Sequence, residues 1–144
     1  SMMIKFAFEK ANSKILGEIW RPVARAIFTS PSDANIQQET WLLVDSGADY
    51  TLLPRYLGID LKINFETDCQ IFQTVGIGGP EKVFLFPRME VQLGPFKRVI
   101  PVGFLDRNEV PPLLGRHLFM ETLETYFSTG HTTYFSDKPF NSNE

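Results

Sequence analysis

A short apolar run that ends in a carboxylate constrains this chain more than any other feature of its sequence. Residues 41–44 (Trp-Leu-Leu-Val) predict a strand buried on both faces. The run stops at Asp45-Ser46-Gly47, so the Asp45 carboxylate is expected at the end of a buried strand, partly out of water. Desolvation of a carboxylate is costly unless the group is hydrogen-bonded or shares a proton. Taken alone, the pattern more often marks an ordinary turn in which Asp45 caps its own loop.

Length and composition predict one all-β domain. The chain has 144 residues, which suits a single domain with a modest core. Its 13 Phe favour strands and a packed interior, and its 10 Gly and 10 Pro predict many short elements joined by turns. The formal charge of -3 is spread without a basic block, so neither nucleic acid nor an anionic membrane is expected as a partner.

Few residues of the chain suit metal or redox chemistry. Cys69 is the single cysteine, which excludes an internal disulfide and a cysteine metal cage. His117 and His131 lie far apart without a ligand-spaced partner, so we expect no metal and no cofactor. No signal peptide or membrane span is found in the sequence, and a cytoplasmic location is expected.

Hydrophobic patterning predicts many short strands and one helix. Ile4, Phe6 and Phe8 alternate with polar or small residues, as in a half-buried strand. A turn is predicted at 11–14, a hairpin turn at Gly94-Pro95, and a helix over 117–127, where apolar residues recur at helical spacing. Further strands are predicted at 15–19, 23–29, 69–75, 82–86, 89–93, 99–104 and 132–135. The domain is expected to span residues 3–136, with a disordered polar tail at 137–144.

Three motifs in order resemble a known family. They are Asp45-Ser46-Gly47-Ala48-Asp49, then Gly76-Ile77-Gly78-Gly79, then Leu113-Leu114-Gly115-Arg116. Together they resemble the retropepsins, the aspartic proteases of retroviruses and their cellular and bacterial relatives, over roughly residues 15–135. Trp20-Arg21-Pro22 is similar to the N-terminal segment of the viral members. The resemblance implies an all-β closed barrel or sandwich, one lobe per chain, with a glycine-rich flap hairpin and one C-terminal helix.

The resemblance also implies a hydrolase that works as a homodimer. Two carboxylates that share one proton can activate water and protonate a peptide carbonyl without a metal. Because the chain has one Asp-Ser-Gly, the second Asp45 would come from an identical subunit across a two-fold axis. The implied activity is proteolysis of an extended polypeptide substrate by an aspartyl protease.

Residue roles follow from the same resemblance. Asp45 would be the catalytic carboxylate, Ser46 would bond to the partner's equivalent turn, and the Gly47 carbonyl would contact substrate. Ala48 offers no hydroxyl to the carboxylate pair, so activity is expected at weakly acidic to near-neutral pH. Asp49 would position substrate and form a bidentate pair with Arg116. Arg21 would contact the partner's Asp49. The flap tip would comprise Ile77, Gly78 and Gly79, and apolar subsites would be formed by Leu43, Leu52, Pro111 and Leu113.

Other interpretations remain open at this stage. Asp49 and Arg116 also fit an exposed pair of little energetic weight, and the leucines also fit a plain core. The chain departs from the family at His117, where Asp or Asn is usual, and at Val75 in the flap, where viral members often have glycine. The alternative to an enzyme is a non-catalytic module that binds peptide or dimerises. A processing domain of a larger polyprotein is a third possibility.

Overall fold

Strands make up most of the fold in the computed structural model, which describes residues 2–76 and 78–140. The prediction of an all-β fold is confirmed. The strands are β1 (Met3–Ala7), β2 (Glu9–Ser13), β3 (Gly17–Arg21), β4 (Val23–Thr29), β5 (Gln37–Val44), β6 (Thr51–Leu53), β7 (Gln70–Gly76), β8 (Gly79–Leu93), β9 (Phe96–Leu105), β10 (Leu113–Leu114), β11 (Glu124–Phe127) and β12 (Thr132–Ser136). The helices are α1 (Arg55–Asp60), α2 (Phe65–Asp68) and a 3-10 helix (Met120–Thr122).

The main sheet has seven strands in the order β4-β5-β10-β6-β9-β8-β7, and β4 pairs with β8 as well. The short strand β10 lies between β5, to which it is parallel, and β6, to which it is antiparallel. One face of this sheet buries the core, which includes the fully buried Phe28, Leu42, Phe104 and Leu114. Burial of such side chains is the main favourable term for folding.

Two smaller sheets are formed by the ends of the chain. β12 lies between β1 and β11, while β2 and β3 form a two-stranded sheet. Phe135 of β12 is fully buried, and Ile4 and Phe6 of β1 pack against the core. After β12, Phe140 stacks on Tyr126 with ring centroids 4.7 Å apart. The N- and C-terminal segments are therefore packed together on the main core.

For the N-terminal part of the chain, the predicted types of element are correct, but some of their predicted positions are wrong. β1 has the predicted alternation, because Ile4 and Phe6 are half-buried and Lys5 is exposed. The turn predicted at 11–14 is wrong: β2 continues to Ser13, and the turn occupies residues 14–16. The Ser13 hydroxyl accepts the amides of both Ile15 and Leu16, which moves the turn beyond the serine.

The middle of the chain forms longer strands than predicted. β4 matches the predicted 23–29, but the strands predicted at 82–86 and 89–93 are one strand, β8. A register shift between Phe86 and Met89 accommodates Pro87, which has no amide to donate to a neighbouring strand. The hairpin predicted at Gly94-Pro95 is confirmed, because Leu93 pairs with Phe96.

The helix predicted over residues 117–127 is wrong. Leu118 has a φ of 58°, outside the helical region, and only the 3-10 helix follows it. Phe119, Met120 and Leu123 are buried, whereas Phe127 is 43% exposed, so the apolar residues do not form one helical face. The segment Glu124–Phe127 instead pairs with β12. Its threonine and aromatic residues suit a strand, and pairing with β12 outweighs the helical spacing.

The run at 41–44 forms a strand that alternates in burial. Leu42 and Val44 are buried, but Trp41 is 50% exposed and Leu43 is half-buried. The prediction of burial on both faces is therefore wrong, because the face of β5 that carries Trp41 and Leu43 is only partly covered.

No helix in the described part of the chain is long and apolar enough to cross a membrane.

Candidate functional site

The Asp45 loop begins where β5 meets β10. The Asp45 amide donates to the Leu114 carbonyl at 3.0 Å, and the Leu43 amide donates to Pro112 at 2.9 Å. On the other side of β5, the Val44 amide donates to the Pro22 carbonyl at 2.9 Å. These bonds position the backbone from which the half-buried Asp45 side chain projects.

The turn after Asp45 orients its carboxylate. The Gly47 amide donates to Asp45 Oδ1 at 2.9 Å, and the Ala48 amide donates to the Asp45 carbonyl at 3.1 Å. A Cβ at position 47 would lie 3.3 Å from Oδ1, so a glycine suits this close approach. Ser46 and Gly47 are exposed beside the carboxylate. The loop therefore presents an oriented carboxylate together with small groups at the protein surface.

A second loop supports the first through the backbone. The Arg116 amide donates to the Ala48 carbonyl at 3.1 Å, and the His117 amide donates to the Asp49 carbonyl at 2.8 Å. Gly115 permits this approach, because a Cβ there would lie 2.3 Å from the carbonyl carbon and oxygen of Tyr50. The predicted Asp-Ser-Gly and Leu-Leu-Gly-Arg motifs thus form one structure.

Thr51 is a supporting residue that the sequence analysis missed. Its side chain is 1% exposed, and its hydroxyl accepts the Gly115 amide at 3.2 Å. A buried amide without a partner is costly, so this bond stabilises the contact between the two loops. A threonine at the start of an otherwise apolar strand, β6, was the signal available in the sequence.

Asp49 and Arg116 form the predicted pair in a weaker geometry. A single hydrogen bond of 2.6 Å joins Arg116 Nη2 to Asp49 Oδ1, where a bidentate pair was expected. The two side chains are 48% and 83% exposed, for Arg116 and Asp49 respectively. Exposed pairs of this kind contribute about 0–1 kcal/mol, so the pair has little weight in stability.

Three of the four predicted subsite residues share one face of the main sheet. Leu113 is in register with Leu43 on one side and with Leu52 on the other, and all three are half-buried. They alternate with buried neighbours on the same strands, so they lie on the face opposite the core. A cavity of about 180 Å³ brings Leu43 together with Pro111, which is exposed, and with Arg21.

A second cavity of about 400 Å³ lies beside Asp49. Tyr50 is half-buried at this cavity, and its burial, followed by the charge of Asp49, raises the pKa of its phenol. The phenol therefore stays neutral, able to donate and accept hydrogen bonds. The lining residues are Asp49, Tyr50, Leu85, Pro87, Pro101 and His117.

The predicted glycine flap is a hairpin between β7 and β8. Gly76 pairs with Gly79, which has a φ of 113° that suits glycine. A Cβ added at Gly78 or at Gly79 would meet nothing within 4 Å, so the space on that side of both glycines is open. Ile77 lies outside the described residues. Away from its tip, the hairpin approaches Tyr50: the ring of Phe72 in β7 lies edge-on to the Tyr50 ring, with ring centroids 6.3 Å apart.

No group of three or more His, Cys, Asp or Glu in the described part of the chain is placed to hold a metal ion. Comparison with known protein families gave no matching family model, and comparison with curated proteins gave no significant match.

Proposed function

We propose that this chain is one half of a homodimeric aspartic endopeptidase. The observation that carries the proposal is the Asp45 turn, in which a half-buried carboxylate accepts the Gly47 amide at the end of β5. Ser46 and Gly47 are exposed beside it, which leaves room for a second copy and a substrate. An ordinary surface turn does not need the close packing of Gly115 on Tyr50 that supports this loop.

The proposed chemistry uses two copies of Asp45. A two-fold axis beside the turn brings the carboxylates of both chains together, and they share one proton. The ionised carboxylate takes a proton from water, which attacks the peptide carbonyl, and the neutral carboxyl donates a proton to the carbonyl oxygen. One chain supplies only half of this site. Dimer formation is therefore a condition of activity.

The proposed substrate is an extended polypeptide with apolar residues near the cleaved bond. The face formed by Leu43, Leu52 and Leu113 supports this choice, because it is apolar and incompletely covered. The glycine hairpin acts as a flap that closes over the peptide. Pairing of β4 with both β5 and β8 is compatible with the closed barrel of a retropepsin.

The second candidate function is a non-catalytic module that binds peptide. The same leucine face and hairpin favour it, because both can hold a peptide without any reaction. In that case Asp45 serves only to close its own turn with the Gly47 amide.

Cleavage of a mixed peptide library distinguishes the two functions. The wild-type protein and Asp45→Asn are incubated with the library from acid to neutral pH, and products are identified by mass spectrometry. We expect cuts between apolar residues that disappear in Asp45→Asn, because the amide cannot act as the base. The asparagine keeps the acceptor for the Gly47 amide, so the variant retains the fold, which circular dichroism checks.

The control variant is Asp49→Asn, which alters an exposed carboxylate of the same loop. It is expected to reduce cleavage without abolishing it. If neither wild type nor Asp49→Asn cuts any peptide at concentrations where the dimer forms, the peptide-binding module replaces the enzyme.

A further inference from the structure

Trp41 presents a large aromatic ring at the surface of β5. The side chain is half exposed, although tryptophan is on average highly buried in folded proteins. It lines a cavity of about 180 Å³ together with Leu43 and Pro111, two residues that were predicted to form apolar subsites. A cavity of this size is smaller than the usual site of a drug-sized ligand, and it suits a single side chain.

Two contacts hold the Trp41 ring in place. Phe6 of β1 lies edge-on to it with ring centroids 5.9 Å apart, and the Arg25 guanidinium lies 5.5 Å from the centroid of the indole. Arg25 is itself restrained by an ion pair with Glu39, in which Nε and Oε1 are 2.9 Å apart. Because the ring is already ordered, it loses little conformational entropy when a ligand packs on it.

The opposite wall of the cavity is joined to β5 through the backbone. The Leu43 amide donates to the Pro112 carbonyl at 2.9 Å, which places Pro111 and Pro112 beside the strand. The exposed Glu9 and Arg21 also line the cavity. Since one acidic and one basic residue carry no net charge together, the lining favours an uncharged, apolar occupant.

The cavity lies at a fixed distance from the candidate catalytic carboxylate. Trp41 is on the same side of β5 as Leu43, because both alternate with the buried Leu42 and Val44. Trp41 precedes Asp45 by four residues, a distance of about 14 Å along the strand at about 3.4 Å per residue. An extended peptide covers the same distance in four residues.

We propose that Trp41 forms an outer subsite, which takes an apolar side chain of the peptide about four residues from the cleaved bond. The proposal rests on the proposed function, since it requires that the chain binds an extended peptide. Tryptophan is enriched among the residues that dominate binding at interfaces, because its large ring buries much apolar surface. In the proposed homodimer the subsite occurs twice, once on each side of the bond.

The first test compares two peptides that bind the Asp45→Asn protein, in which the proposed reaction does not occur. The peptides are Lys-Leu-Ala-Ala-Leu-Phe-Ala-Ala-Leu-Lys and Lys-Asp-Ala-Ala-Leu-Phe-Ala-Ala-Asp-Lys, which differ only at the fourth residue on each side of the central bond. We expect the leucine peptide to bind at least about tenfold more tightly by calorimetry, because its outer leucines are buried on Trp41. In Asp45→Asn/Trp41→Ala the preference is expected to fall below about threefold.

Two further variants in the same background are matched controls. Trp41→Phe keeps an aromatic surface and is expected to retain a preference of more than about fivefold. Tyr56→Ala removes a similarly exposed aromatic side chain from α1, and it should leave the tenfold preference unchanged. An equal preference for the leucine peptide in Trp41→Ala and in its parent overturns the subsite.

Fluorescence tests the contact with the native side chain in place. The chain has two tryptophans, so Trp20→Phe in the Asp45→Asn background leaves Trp41 as the single indole emitter. We expect the leucine peptide to shift the emission to shorter wavelength, because it removes the ring from water. Saturation with this peptide without a change in emission overturns the proposal. A shift that follows protein concentration without peptide shows that a second copy covers the cavity, which also overturns it.

The outcomes separate the subsite from the proposed enzyme. Selective binding of the leucine peptide through Trp41, without cleavage of any peptide by the wild type, supports the subsite and replaces the enzyme by the peptide-binding module. Cleavage of the mixed library by the wild type, with the same preference four residues from the cut in Trp41→Ala, overturns the subsite and leaves the enzyme intact. A chain that neither binds nor cuts a peptide overturns both.

Discussion

At the scale of single residues, Thr51 has the clearest structural role in the candidate site. Its buried hydroxyl accepts the Gly115 amide, and no substituent fits on Gly115 because Tyr50 lies against it. We expect Thr51→Val to lower the free energy of unfolding by about 1–3 kcal/mol, because the amide loses its partner in a buried position. Urea denaturation measures the change. Thr51→Ser keeps the hydroxyl and is expected to recover most of the loss; equal stability of Thr51→Val and wild type would contradict this role.

Ionisation of the Cys69 thiol makes the stability of the folded protein decrease at high pH. Burial, followed by the charge of Asp68, raises the pKa of the Cys69 thiol from 9.0 to about 11. The thiol therefore ionises at a higher pH in the folded protein than in the unfolded chain. Its contribution to the free energy of unfolding is complete below pH 9 and is lost as the pH rises toward 11.

Alkylation of Cys69 by iodoacetamide at pH 9 tests this shift. Since the thiolate is the nucleophile, we expect the folded protein to react at least about tenfold more slowly than protein unfolded in urea. A small thiol compound under both conditions controls for the effect of urea on the reagent. Equal rates in folded and unfolded protein would show that the thiol ionises normally.

Ala48 yields a prediction that depends on the proposed enzyme. In Ala48→Ser, a hydroxyl next to Gly47 would donate to the ionised carboxylate pair and stabilise it. We expect the acidic limb of the kcat/KM profile to move to lower pH by about half a unit or more. Ala48→Gly, which adds no donor, is the control. An unmoved acidic limb in Ala48→Ser would refute the role of position 48.

At the scale of elements, the hairpin between β8 and β9 supports the N-terminal strand β1. Gly94 has a φ of 55°, and a Cβ on it would lie 2.3 Å from Ile4 Cδ1. We expect Gly94→Ala to destabilise the protein by more than about 1–2 kcal/mol, since backbone strain adds to displacement of Ile4. Thermal and urea unfolding measure the effect.

Gly17→Ala is the matched control for Gly94→Ala. Its φ of 77° carries similar backbone strain, but a Cβ there meets nothing within 4 Å. The difference between the two variants therefore isolates the contact with Ile4. If Ile4→Ala does not relieve part of the cost of Gly94→Ala in a double-mutant cycle, the steric explanation fails.

The segment after β10 shows why an element can be mispredicted from its pattern. Residues 117–127 have apolar residues at helical spacing, yet Leu118 adopts a positive φ and Glu124–Phe127 pairs with β12. A spacing of three and four residues is compatible with several short elements when the buried positions contact different neighbours. Only the location of β12 determines which structure forms.

At the scale of the whole molecule, β1 closes one side of the core. Ile4 and Phe6 are half-buried against it, and Phe6 packs edge-on to both Trp41 and Phe135. We expect removal of residues 1–7 to lower the free energy of unfolding by at least about 2 kcal/mol, since it exposes these apolar surfaces. Lys5→Ala, on the exposed face of β1, should change it by less than about 0.5 kcal/mol. Truncated and full-length proteins with the same urea midpoint would show that β1 contributes nothing to the core.

The sequence by itself determined the fold class and the local character of the candidate site. Alternating apolar residues identified β1, continuous runs identified β4 and the end of β5, and Gly94-Pro95 identified the hairpin between β8 and β9. These features depend on neighbouring residues alone, so local patterns are sufficient to predict them. For the same reason, the Asp45 turn was recognisable without coordinates.

Only the tertiary structure decided how distant segments support that turn. The bond from Asp45 to Leu114 and the bond from Gly115 to Thr51 join residues far apart in the chain. The exposure of Ile15 and Leu16 could not be predicted from the sequence either. Whether an apolar pair is buried depends on which other parts of the folded chain pack against it. Contacts of this kind depend on strand order and register, which no local pattern specifies.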